Sequence, residues 1–134
     1  MRNVSILELI PQRPPFVFVD EIVDVTENSI KTLYRVKRDS PLSEGDLFSE
    51  AGMIECIAQT IATHIGYTTL GEVTIGVIGS VRNFKIVEIP KVDDILIAEV
   101  DIVNKVFNIT FVHAKIFLSG KEIAGGELKV ALQE

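Results

Sequence analysis

The chain has 134 residues, of which 47% are hydrophobic and 24% are charged. That length suits one domain, and that apolar content is enough for a buried core, so a second domain and an intrinsically disordered chain are both excluded. The 13 Lys and Arg residues against 19 Asp and Glu residues give a net charge of -6, which disfavours nucleic acid as a partner because phosphate binding requires positive charge.

The sequence contains one cysteine, Cys56, which excludes an intramolecular disulfide and any multi-cysteine metal site. Residues 1–10 mix charged and polar residues with apolar ones and carry no export signal. No stretch approaches the ~18 apolar residues that a membrane-spanning helix needs. We therefore expect a single domain over residues 1–134, located in the cytoplasm, with no membrane span, no metal and no other cofactor.

The first part of the chain is predicted to form a short helix followed by a hairpin. Its predicted elements are a helix over residues 4–10, strands over residues 16–26 and 29–37, and a loop over residues 38–46. Pro11 ends the helix, and Pro14-Pro15 predicts an extended link. Glu27-Asn28 is short enough to connect two paired strands. The apolar alternation changes face at residues 20–22, which predicts a β-bulge there.

The clearest predicted helix covers residues 49–68. Ser49 suits the N-cap, Glu50 suits the positive end of the helix dipole, and Gly66 or Gly71 lies near the exit. Apolar residues cover most of the circumference of this helix. A helix with that pattern is buried on nearly all sides.

The rest of the chain shows only strand-like segments, over residues 73–89, 94–105, 107–119 and 121–132. The clearest alternation in them is Phe107, Ile109 and Phe111 against Asn108 and Thr110. Two strands, one buried helix and about four further strands predict an α+β domain in which a curved antiparallel sheet wraps around one helix, the hot-dog fold. A doubly wound parallel sheet is excluded because no helix fits between the later strands.

Four segments carry a resemblance to one family. Residues 10–20 read IPQRPPFVFVD and residues 53–59 read MIECIAQ. They resemble the opening signature, L-P-H-R-x-P-F-L-L-V-D, and the central-helix motif, L-x-x-E-x-x-A-Q, of the hot-dog 3-hydroxyacyl-acyl-carrier-protein dehydratases. Residues 78–85 resemble the strand after the helix, and residues 119–124 resemble the last hairpin. GVIGSVR and ECIAQ are also similar to the divergent branch associated with aryl polyene pigment synthesis.

The resemblance implies a dehydratase-like protein of fatty-acid or polyene-type lipid synthesis, acting on thioesters of acyl carrier protein or coenzyme A. The family carries G-H-F-P before its helix, and that histidine removes the Cα proton of the thioester. Counting back from Glu55 without gaps places Pro41 at the position of this histidine. Gln12 replaces the histidine of the opening signature, a residue that is mainly structural in the family. The expected base is therefore missing from this chain.

Dehydration of a 3-hydroxyacyl thioester needs a base for the Cα proton, an acid for the leaving hydroxyl group and donors for the thioester oxygen. Glu55 is the predicted catalytic residue, and an apolar helix would raise its pKa so that it is protonated near neutral pH. Gln59 follows one turn later on the same face and is expected to bond either Glu55 or the substrate. Gly52, Gly79 and Phe84 complete the predicted substrate-binding residues.

Ordinary structural roles also suit the reactive residues of the chain. Glu55 itself could be a solvated helix residue, and Cys56 is expected to be a small buried hydrophobic residue. His64 follows Glu55 by nine positions, about 900° of helix rotation, and therefore lies on the opposite side of the helix. His113 lies in a strand of alternating pattern, where we expect a structural role.

Three functions stay open from the sequence: dehydration, hydrolysis of an acyl thioester, and a non-catalytic subunit that partners an active dehydratase. Hydrolysis needs only one helix carboxylate and a backbone N–H, so it tolerates the missing histidine. A thin sheet around one helix leaves apolar strand surface uncovered, which predicts a homodimer or a higher oligomer. We expect the acyl chain beside the helix, bordered by residues 78–84 and the loop before Ser49.

Overall fold

The computed structural model describes residues 5–69, 73 and 76–132. In chain order its elements are a 3-10 helix (Ile6–Glu8), β1 (Glu21–Val25), β2 (Ser29–Arg35), β3 (Ser43–Glu44), β4 (Leu47–Phe48), α1 (Glu50–Thr68), β5 (Gly76–Ile86), β6 (Ile95–Val106), β7 (Ile109–Leu118) and β8 (Lys121–Leu132). Six strands form one antiparallel sheet in the order β1-β2-β6-β7-β8-β5, and β3 pairs with β4. Helix α1 packs against β2, β5 and β6. The predicted α+β hot-dog fold is confirmed.

Helix α1 begins where the sequence predicts. The Ser49 hydroxyl oxygen accepts a hydrogen bond of 3.1 Å from the backbone N–H of Gly52, which satisfies one of the free N–H groups of the first turn. Gly52 also makes room for a neighbour, because a Cβ atom there would lie 2.5 Å from the Phe48 ring. Gly66 is buried inside the helix against the carbonyl group of Leu9, and Gly71 lies outside the described residues.

The core lies between α1 and the sheet. An aromatic cluster of Phe18, Tyr34 and Phe48 has ring centroids 5.5 to 5.9 Å apart. The buried hydroxyl groups of Thr32 in β2 and Thr60 in α1 are 2.7 Å apart and hydrogen-bonded. This bond lets two polar side chains pack inside the core at little cost, because each satisfies the other.

The segment before β2 differs most from the prediction. The predicted helix over residues 4–10 is only the 3-10 helix Ile6–Glu8, and Val4 lies outside the described residues. Residues 16–20 are not a strand: the backbone N–H of Phe18 donates to the side chain of Gln59, and pairing with β2 begins only at Asp20, whose N–H donates to the carbonyl oxygen of Leu33. The hairpin at residues 27 and 28 is confirmed, whereas the bulge lies between Ile22 and Asp24, slightly later than predicted.

Two further expectations need correction. The predicted loop over residues 38–46 contains β3, which pairs with β4 across the turn at Gly45, where φ is 61°. The alternation around Phe107 does not identify the buried face of β7, because Phe107 is a fully exposed turn residue and Thr110 is buried. The four predicted later strands correspond to β5, β6, β7 and β8, and residues 74–75 lie outside the described part.

Candidate functional site

A cavity of about 350 Å³ lies along one face of α1. It is lined by Pro11, Gln12, Phe16, Glu55, Ala58, Ile61, Ala62, Ile65, Gly76, Ile78, Val130 and Leu132. The helix residues run from Glu55 to Ile65, which corresponds to about 15 Å along the helix axis. Opposite them lie the first residues of β5 and the last residues of β8. Among the described residues of this lining, only Gln12 and Glu55 carry hydrogen-bonding side chains, so the cavity suits an apolar chain with a polar group near Glu55.

Glu55 is half-buried in the wall of this cavity. Burial raises the pKa of its carboxyl group above the usual range, and the hydrogen bond from Gln59 opposes part of that rise. The Gln59 Nε2 group donates to Glu55 Oε2 over 3.1 Å, which leaves Oε1 available to a ligand. Glu55 therefore keeps its proton to a higher pH than a solvated glutamate and can act as a hydrogen-bond donor.

Gln59 is fully buried, and its side chain is hydrogen-bonded to other parts of the chain. Its Oε1 atom accepts a bond of 2.7 Å from the backbone N–H of Phe18. Its Nε2 group donates to the carbonyl oxygen of Phe16 and to Glu55, each over 3.1 Å. Gln59 thus attaches the N-terminal segment (residues 5–20) to α1 and orients Glu55. These bonds favour the first of the two roles expected for it, bonding Glu55 rather than the substrate.

The other predicted substrate-binding residues do not line this cavity. Gly52 packs on Phe48, Gly79 is an exposed residue of β5, and the backbone of Phe84 lies against Gly126. The cavity contacts β5 at Gly76 and Ile78. Of the predicted border over residues 78–84, it therefore includes only Ile78, and its lining contains no residue of the loop before Ser49.

Gln12 belongs to the cavity although the sequence indicates only a structural role for it. Its Oε1 atom is buried and has no hydrogen-bond partner among the described residues. Its place in the opening signature, one residue after Pro11, was the only feature of the sequence that singled it out. No spacing rule connects Gln12 with Glu55, which is 43 positions later, so only the packing of the N-terminal segment on α1 brings them to one cavity.

Neither of the two histidines lines the cavity of Glu55. His64 is buried on the other side of α1, where its Nε2 atom lies 2.9 Å from the carbonyl oxygen of Thr26, and burial lowers its pKa. His113 lies on the outer face of the sheet, 3.5 Å from Glu127. Cys56 is buried, and burial raises the pKa of its thiol to about 12. These residues offer no base to a substrate beside Glu55.

A second, larger cavity of about 920 Å³ lies between the N-terminal segment and β2. Ser40, the neighbour of Pro41, lines it, together with the ion pair of Asp20 and Lys37 at 2.9 Å. Glu55 is absent from its lining. Within one chain, the neighbour of the missing histidine's position and the helix carboxyl group therefore line different cavities.

Within the described ranges, no helix has the length and apolar character to cross a membrane. Over the same residues, no group of three or more His, Cys, Asp or Glu side chains is arranged to hold a metal ion.

Comparisons with known proteins agree on a family and a fold. The family model for ApeP-like proteins, described as ApeP dehydratase, matches residues 4–133. The 3-hydroxyacyl-[acyl-carrier-protein] dehydratase FabZ of Ruminiclostridium cellulolyticum is 23% identical over 138 residues, which cover 98% of this chain and 97% of the relative.

Solved structures share the fold at lower sequence identity. The dehydratase heterocomplex ApeI:P of Xenorhabdus doucetiae aligns with a TM-score of 0.83 at 18% identity, covering 99% of this chain and 93% of the other. A hypothetical thioesterase of Streptococcus pneumoniae, solved with coenzyme A, aligns with a TM-score of 0.64 at 15% identity, covering 84% of each chain.

Proposed function

The chain belongs to the ApeP-like dehydratase family, and from this we propose that it takes part in dehydrating a 3-hydroxyacyl thioester. The acyl chain occupies the cavity along α1, and Glu55 is the acid that protonates the leaving hydroxyl group. The observation that carries the proposal is the half-buried carboxyl group of Glu55, with its raised pKa, in the wall of an otherwise largely apolar cavity. The FabZ relative supports acyl carrier protein as the carrier, with coenzyme A as the alternative.

The chemical step assigns one task to Glu55. A base removes the Cα proton, and the electron pair of that C–H bond becomes the second bond between Cα and Cβ. The Cβ–O bond breaks as the proton of Glu55 passes to the hydroxyl oxygen, which leaves as water. A carboxyl group with a raised pKa is suited to this task because it is still protonated when substrate arrives.

We assign the base to a second subunit of the same fold that retains the histidine. Two observations support this assignment: both histidines of this chain lie away from Glu55, and Ser40, the neighbour of Pro41, lines the other cavity. The dehydratase heterocomplex of Xenorhabdus doucetiae is a precedent for two different subunits. In this arrangement the present chain contributes Glu55 and the acyl cavity.

We propose that subunits pair along β5. This strand is at one edge of the sheet, borders the cavity at Gly76 and Ile78, and exposes Val77 and Val81. An unpaired apolar edge strand is prone to association, so two copies of the chain would pair there when the histidine-bearing subunit is absent. The resemblance of GVIGSVR and ECIAQ to the branch associated with aryl polyene pigment synthesis supports a place in polyene-type lipid synthesis. We expect that synthesis to take place in the cytoplasm.

The test uses the full chain alone, the histidine-bearing hot-dog subunit from the same genome alone, and the two together. Formation of the enoyl thioester from a 3-hydroxyacyl pantetheine is followed by ultraviolet absorbance. We expect the dehydration rate of the mixture to exceed the sum of the rates of the two separate subunits. Glu55→Gln in this chain should reduce the activity of the mixture by ~100-fold or more, the usual scale for a general acid.

Glu50→Gln is the matched control, because Glu50 is an exposed carboxylate of the same helix. It should leave the rate unchanged. A different result would contradict a catalytic contribution of this chain: the mixture and the histidine-bearing subunit alone have equal rates, and Glu55→Gln has no effect. The chain would then be a non-catalytic subunit. Release of thiol from a saturated acyl pantetheine would instead favour hydrolysis, the activity suggested by the name of the Streptococcus pneumoniae relative.

A further inference from the structure

The N-terminal segment holds Gln12 firmly at the cavity. Gln59 bonds the backbone of this segment at Phe16 and Phe18, and the carbonyl group of Leu9 lies directly against Gly66 of α1. Between these attachments, the Arg13 guanidinium group donates to the carbonyl oxygens of Ile10 at 2.8 Å and of Gln12 at 2.7 Å. The backbone is therefore anchored on both sides of Gln12, which lines the cavity.

One residue of the cavity lining, Gln12, has an unsatisfied hydrogen-bond acceptor. Gln12 Oε1 is buried without a partner among the described residues, although the large majority of buried polar atoms in proteins are paired. Such an oxygen destabilises the folded chain unless a ligand supplies a donor. Among the described residues, the rest of the lining has no side-chain donor apart from Glu55, because it consists of apolar side chains and glycine. A ligand of this cavity that carries a hydrogen-bond donor would satisfy this oxygen.

We propose that Gln12 is a substrate-binding residue that recognises the 3-hydroxyl group. This inference rests on the proposed function and adds the group that selects the substrate. The hydroxyl group donates its hydrogen to Gln12 Oε1, while its oxygen accepts a hydrogen bond from the Glu55 carboxyl group. The two side chains thus hold the leaving oxygen from both sides and place a lone pair toward the acid.

The chemistry of the acyl group makes the 3-hydroxyl the matching donor. A 3-hydroxyacyl thioester has one O–H group in its acyl part, whereas a saturated acyl chain and the enoyl product have none. Binding either of the latter leaves Gln12 Oε1 unpaired, and an unpaired buried polar atom discriminates strongly against a ligand. Gln12 thereby favours substrate over product in a cavity whose apolar lining cannot distinguish them.

The experiment measures the coupling between Gln12 and the hydroxyl group. Dissociation constants are determined for a 3-hydroxyacyl pantetheine amide and for its saturated counterpart of equal chain length, because the amide suppresses hydrolysis. The full-length wild type should bind the hydroxylated ligand about tenfold more tightly, the value expected for one buried hydrogen bond. Gln12→Met keeps the length and removes the acceptor, so it should reduce this preference to the part due to the Glu55 hydrogen bond, while binding the saturated ligand with unchanged affinity.

Two further variants separate recognition from folding. Gln12→Glu retains an acceptor oxygen and should keep a preference for the hydroxylated ligand. Arg13→Met removes the two bonds that stabilise the segment but changes no residue of the cavity lining, so it should leave the preference intact. A preference as large in Gln12→Met as in the wild type, or absent from the wild type, would overturn the role of Gln12. If the wild type binds neither ligand, the proposed function itself is wrong.

Discussion

Replacing Gln59 by leucine is the most informative perturbation of stability, because one side chain connects the N-terminal segment, α1 and Glu55. Leucine fills a similar volume but leaves the backbone N–H of Phe18, which now donates over 2.7 Å in a buried environment, without an acceptor. An orphaned buried donor costs ~1–3 kcal/mol, and the loss of the two bonds made by Nε2 adds ~1 kcal/mol. We expect the free energy of unfolding to fall by about 2–4 kcal/mol in urea denaturation.

Thr63→Val is the matched control for this prediction. Thr63 is buried in the same helix, and its hydroxyl group donates over 2.7 Å to the backbone carbonyl of Gln59. That carbonyl also accepts the helical N–H of Thr63, so valine leaves no orphaned group and should cost at most ~1 kcal/mol. A loss in Gln59→Leu no larger than the loss in Thr63→Val would refute the assignment of Gln59 as the attachment point of the segment.

Three other measurements test the packing and charge of the same region. Because burial raises the pKa of Glu55 in the folded state, this residue should lower the free energy of unfolding of the wild type as the pH rises from 4.5 through that pKa. Glu55→Gln lacks this contribution. In urea denaturation, its free energy of unfolding should therefore exceed that of the wild type at pH 8, and the difference should vanish near pH 4. Gly66→Ala places a methyl group on the Leu9 carbonyl and should lower the unfolding free energy by ~1–3 kcal/mol, whereas an unchanged urea midpoint would contradict this packing. Cys56 is buried and has a thiol pKa of about 12, so a thiol reagent should label it only at the rate of unfolding, and rapid labelling of the folded chain would contradict its burial.

The predicted site divides into a part that local sequence determines and a part that it does not. Glu55 and Gln59 are one helical turn apart, so their proximity follows from helix geometry alone, and their hydrogen bond is present. Gln12 reaches the same cavity only because the N-terminal segment packs across α1. Gly52 illustrates the converse: the sequence analysis places it among the substrate-binding residues, but the absence of a side chain makes room for Phe48.

The sequence by itself determined the features that depend on neighbours along the chain. The N-cap at Ser49, the extent of α1 and the hairpin at residues 27 and 28 follow from local hydrogen bonds and turn geometry. The tertiary structure alone decided which face of each strand is buried. Side chains alternate along a strand, so the face depends on register with the neighbours, and pairing with β6 and β8 buries Thr110 and leaves Phe111 more than a third exposed. The position of the cavity also depends on tertiary packing. Its walls come from α1, β5, β8 and the N-terminal segment, and no local rule places that segment beside them.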